Sequence, residues 1–70
     1  MASARYWATL DGALTRLDRQ VDRYTRNGKD APAEIWRTRD TIRAAVQMAN
    51  SGKSDREVRE YLEAQGVTTA

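Results

Sequence analysis

The first stretch of the chain places Trp7, Leu10, Leu14, Leu17, Val21 and Tyr24 at successive spacings of 3, 4, 3, 4 and 3. That is a heptad pattern over almost three repeats, which a helix gathers into one apolar stripe. Only Gly12 interrupts the helix-forming residues, on the outer face and at modest cost. Asn27 and Gly28 follow, both tolerant of a left-handed C-cap, so the pattern predicts a helix over about 4–26. A second segment opens with Asp30 as candidate N-cap, Pro32 in the first turn and Glu34 at the positive end of the dipole. Its stripe is Ile35, Ile42, Ala45, Val46 and Ala49, with Thr38 filling one heptad slot. Asn50-Ser51-Gly52 ends it, giving a helix over about 32–50. Ser54 and Glu57, three apart, form a capping-box signature. Val58, Tyr61, Leu62 and Gln65 then share a face and Gly66 supplies a stop, so a third helix spans about 55–65. Residues 67–70 read as a short frayed tail.

Short connections favour antiparallel neighbours. The expected fold is therefore all-α, a single helical domain over residues 1–70. Its expected architecture is a three-helix antiparallel bundle, or helical hairpin, with one long heptad-patterned helix. Composition makes that core thin. Leu, Ile and Val number ten in 70 residues, Phe is absent, and eleven of the apolar residues are alanine. A core of this size supplies about 3–5 kcal/mol at most. Neither cysteine nor histidine is present to staple it. Completion by homodimerisation is the natural remedy, with Trp7, Leu10, Leu14, Leu17, Val21 and Tyr24 as the dimer or core seam. Asp11 and Asp18 fall at e positions, and Tyr6, Ala13 and Gln20 at g. No ladder of opposite charges specifies a parallel zipper, so an antiparallel seam fits better.

Charge changes the picture in one place. Twelve basic against ten acidic residues leave a net charge of +2, and ten of the twelve are arginine. Arg16, Arg19, Arg23 and Arg26 recur at spacings of 3, 4 and 3, opposite the apolar stripe, and Lys29 extends the row. Such a row matches an anionic surface, either a phosphate backbone or an acidic patch on a protein. Asp22 is the acid placed to neutralise part of it, through Arg19 and Arg26. On the third helix the pairs Asp55 with Arg59, Arg56 with Glu60 and Arg59 with Glu63 are expected to balance. Trp36 lies about 100° from Ile35 at the edge of the second stripe, and Met48 on nearly the far side. Both are expected to be partly exposed in one chain, as candidate interface hot spots.

The second and third helices around Gly52 invite comparison with a DNA-reading helix-turn-helix. Gln47 and Lys53 fall where that motif needs apolar residues. Its second helix would also present Asp55, Glu57, Glu60 and Glu63 to the phosphates, so the sequence argues against it. The stretch from Ser51 to Leu62 resembles a helical hairpin of the cytochrome c maturation protein family. That family's redox work needs a pair of cysteines, absent here, so the resemblance implies a hairpin shape and no activity.

Enzymatic work is not expected. Proton transfer and nucleophilic attack need a titratable group tuned in a cleft. The carboxylate pairs Asp18/Asp22 and Glu57/Glu60 instead sit on outward faces among arginines. Nothing completes a metal shell around them, and the four glycines are isolated rather than gathered in a phosphate loop. No catalytic residue, cofactor or metal is therefore assigned. Arg5 and Asp11 interrupt any apolar leader, and no run is long enough to span a bilayer. The expected location is cytoplasmic, in a bacterial cell or phage-infected host, with no membrane partner. The expected function is a small interaction module with a protein partner. Size and arginine bias suit a phage- or mobile-element-encoded inhibitor or adaptor that binds a larger host complex. The alternative is a sequence-nonspecific nucleic-acid binder using the arginine row.

Overall fold

The computed structural model describes residues 2–67 and is all-helical, with three helices and no strand among them. Helix α1 spans Ala4–Arg26, α2 spans Ala33–Asn50 and α3 spans Asp55–Ala64. Ser3 caps α1 by accepting a hydrogen bond from the amide of Tyr6. Ser54 and Glu57 form the reciprocal capping box at the start of α3, satisfying two otherwise orphaned amides. The start of α2 differs from the sequence reading. Its N-cap is Pro32, with no side chain capping the first turn, rather than Asp30. A proline has no amide to orphan and its fixed φ suits helix entry, so this end is held by geometry.

All three helices close in the same way. The amides of Lys29, Lys53 and Val67 donate to the carbonyls of Tyr24, Met48 and Leu62. One residue earlier, Gly28, Gly52 and Gly66 donate to Thr25, Ala49 and Glu63. This is the paired bonding of a Schellman motif. It requires one left-handed residue, which is Gly28 after α1 (φ 70°), while Asn27 stays at φ −90°. In α3 the motif folds Val67 back against the core. Val67 thus departs from the frayed tail expected over 67–70, and residues 68–70 lie outside the described residues.

The core lies where α1 packs on α2 and α2 on α3. It contains Tyr6, Leu10 and Ala13 from α1, Ile42, Ala45 and Ala49 from α2, and Val58 and Leu62 from α3. Leu10, Ile42, Val58 and Leu62 are its fully buried large side chains. Three of its eight members are alanine, the compositional thinness made physical. The covered face of α1 is rotated from the heptad stripe. Tyr6 and Ala13, at the flanking g positions, are buried, while Trp7, Leu14, Leu17 and Tyr24 are only half-buried. The cause is where α3 lands. Ser3 donates through both its amide and its hydroxyl to the Asp55 carboxylate, and the Arg59 guanidinium lies 4.7 Å from the centre of the Tyr6 ring. α3 therefore meets α1 at its N-terminal end, on the Tyr6 side.

Candidate interaction surfaces

Two surfaces remain after the core is assigned, on opposite sides of α1. The first is an open apolar flank. Side chains three, four or seven apart share a helix face, so Trp7, Leu14 and Asp18 lie in one row on α1. By the same rule Ile35, Arg39, Ile42 and Val46 run together along α2. The Arg39 Nε donates to Asp18 Oδ1, which places the Trp7–Leu14 row alongside Arg39 and Val46. Trp7, Leu14, Leu17 and Val46 are half-buried and pack against the core from outside. α3 meets α1 at Ser3 and Tyr6, at the start of the helix.

Trp36 belongs to the rim of this flank. At 40% exposure it is the exposed large hydrophobic residue among those described. The Arg39 guanidinium stacks over its ring at 5.2 Å from the centroid. One arginine thus binds a carboxylate through Nε and covers an indole face, which fixes the tryptophan without burying it. Met48, expected to share exposure with Trp36, instead packs half-buried against the core. It lies twelve residues after Trp36, about 120° round α2, so the two candidate hot spots do not form one patch.

The second surface is the basic row. Arg16, Arg19, Arg23, Arg26 and Lys29 are all exposed. Among the described residues the ion pairs are Asp18–Arg39 and Arg56–Glu60, so none of these five cations is paired. Asp22 makes no ion pair with Arg19 or Arg26, contrary to the sequence expectation. Around the end of α1 the row borders two shallow hollows. One is lined by Arg19, Asp22, Arg23, Arg26 and Asn27, the other by Gln20, Arg23, Tyr24, Asn27, Lys29 and Ile35. Arg23 and Asn27 line both, so the two hollows adjoin; the second, the trough beside Tyr24, is the one that brings Arg23 and Lys29 to an aromatic residue. Tyr24 was read from the sequence as seam. Its place in this trough depends on the chain turning at Gly28, which brings Lys29 and Ile35 to the same hollow, and no local signal marks it.

On α3 only Arg56 and Glu60 pair as expected. Asp55 faces Ser3, and Arg59 is drawn over Tyr6. The two hydrogen bonds from Ser3 hold the Asp55 carboxyl below its ordinary value, with a smaller contribution from Arg59. Gln47 and Lys53 are exposed, as are Glu57, Glu60 and Glu63. α3 accordingly carries no basic reading face for a DNA groove. Among the described residues no group of three His, Cys, Asp or Glu side chains is placed to hold a metal ion, and no helix is long and apolar enough to cross a membrane. No family model, curated protein or solved structure matches the chain.

Proposed function

We propose that this chain is a small non-enzymatic protein–protein interaction module that works as a homodimer, its helices forming an antiparallel bundle completed by a second copy. The observation that carries the reading is the open flank of Trp7, Leu14, Leu17 and Val46, rimmed by the Arg39-stacked Trp36. A half-buried apolar row beside a core with three alanines among its eight members is where further burial brings the most stability. A second copy is the occupant for two reasons. The core is thin, so the single chain is short of the stability that self-association supplies. The charged residues beside that flank, Asp18 and Arg39, are already paired with each other, so a two-fold axis there brings no net charge together.

A dimer of this kind acts by occupying a surface, as an inhibitor or adaptor of a larger complex does. Sedimentation equilibrium tests the dimer directly. The expected result is a dimer for the native chain and a monomer of unchanged helicity for Trp36→Glu. A native chain that stays monomeric across the concentration range overturns the reading.

A further inference from the structure

We propose that the trough at the end of α1 binds single-stranded nucleic acid, with the arginine row on the phosphates and Tyr24 stacking a base. This goes beyond the dimer reading and does not rest on it, because the site lies within a single chain.

The electrostatic half comes from spacing and from the absence of partners. At 1.5 Å rise per residue, Arg16 to Arg26 covers about 15 Å in steps of roughly 4.5–6 Å. Four guanidinium groups and Lys29 are exposed along that line, none held by an acid among the described residues. Unpaired arginines on one face attract any polyanion, so this alone does not choose between an acidic protein and a nucleic acid.

The trough makes the choice. Tyr24 is half-buried and lines the hollow together with Arg23, Lys29 and Ile35. Gln20 and Asn27 stand beside it, each offering an amide that donates and accepts. An aromatic surface within a basic groove, with amides at hand, is what unpaired bases use. The π-face of any base stacks on it, and the neighbouring charges follow the backbone. An acidic side chain itself has no ring to stack there, and a polyglutamate chain tests that alternative. A duplex hides its base faces and calls for a helix in its groove, whereas this trough runs around the end of a helix.

The test is fluorescence anisotropy of a labelled single-stranded oligonucleotide of about a dozen nucleotides, titrated with the full chain over a range of salt. Four or five phosphate contacts predict that log K falls against log salt with a slope of about −3. Arg19→Glu with Arg23→Glu should weaken binding more than tenfold at low salt and flatten that slope. Tyr24→Leu, which keeps an apolar side chain at that position, should weaken binding about tenfold with the slope unchanged. Absence of binding at low salt, or indifference to either variant, overturns the proposal. So does a duplex or a polyglutamate chain bound as tightly as the single strand, which would assign the row to polyanions at large or to an acidic protein. Circular dichroism and sedimentation of the arginine variant separate this outcome from the dimer reading. Those charges are exposed and away from the apolar flank, so its fold and association state should match the native chain.

Discussion

Leu10 and Leu14 stand one helical turn apart in the same heptad stripe, and replacing each by alanine should give different results. Leu10 is fully buried, whereas Leu14 is half-buried on the open flank. Truncating a buried leucine costs about 2–5 kcal/mol, the lost transfer energy plus the cavity left behind. A core this thin holds the chain by about 3–5 kcal/mol. Leu10→Ala therefore removes most of the stability, lowering the melting temperature by at least ~10 °C. Leu14→Ala gives up about 1 kcal/mol in the single chain, roughly half the value of burying a leucine. The rest of its cost appears only where a second copy covers the flank. Urea unfolding followed by helical ellipticity and tryptophan fluorescence, at two widely separated protein concentrations, distinguishes the contributions. The native midpoint should rise with concentration, because a partner that binds only the folded state stabilises it by mass action. Leu14→Ala should lose most of that rise, and Leu10→Ala should have a low midpoint at both concentrations. Equal losses from the two substitutions, with no dependence on concentration, would refute the reasoning. Both leucines would then belong to one self-sufficient core.

Three further outcomes follow from local features. Asp55 is held below the ordinary aspartate value by Ser3, so the stability it contributes is fully present above about pH 4 and is lost as pH falls through its depressed pKa. Acid unfolding monitored by ellipticity should begin at higher pH in Ser3→Ala, which removes the hydroxyl bond and keeps the amide one, and an unshifted curve would show that the hydroxyl bond contributes nothing. The Tyr6 hydroxyl is buried without a hydrogen-bond partner among the described residues, so Tyr6→Phe should raise the urea midpoint by about 1 kcal/mol of stability; a lower midpoint would reveal an unseen partner. Gly12 sits in α1 where an added Cβ meets nothing within 4 Å, so Gly12→Ala should stabilise by about 0.8–1.0 kcal/mol. Gly28 also has space but sits at φ 70°, so Gly28→Ala should destabilise by about 1–2 kcal/mol, and thermal melts of the two should move in opposite directions.

What could be read from the sequence was local in origin. Three helices without strands followed from 3.6-residue periodicity punctuated by Gly28, Gly52 and Gly66, and the capping box followed from Ser54 and Glu57 alone. Those signals act within a turn or two of chain. The face of α1 that becomes core did not follow, because Tyr6 and Trp7 are adjacent and equally apolar. The choice between them depends on where α3 lands, some 50 residues later. Asp55 is the sharpest case. Helical spacing offers it Arg59 four residues on, but its carboxylate binds Ser3, 52 positions away, and Arg59 turns to Tyr6. The arginine row could be read because it repeats along one helix. Tyr24's place beside it could not, since that depends on the turn at Gly28 bringing Lys29 and Ile35 round to the same hollow.

The two surfaces also constrain each other. Arg23 lies nine residues beyond Leu14, which at 100° per residue puts them about 180° apart around α1. A two-fold axis on the arginine side would bring eight unpaired guanidinium groups from two copies together, with Asp22 as the only acid among those lining that hollow. Like charges juxtaposed across an interface cost several kcal/mol. An axis on the Leu14 side buries apolar flank on apolar flank and sets the Asp18–Arg39 pair of one copy against that of the other. Electrostatics and burial thus favour the same dimer, one whose arginine rows face outward on opposite sides. Each row then stays free for an anionic partner, and a strand long enough to reach both would be held by two linked sites, a gain in avidity set by linker length rather than by any new contact. An isolated trough and a dimer differ in this respect: Trp36→Glu should leave the affinity for a short strand intact and remove the extra affinity for a long one.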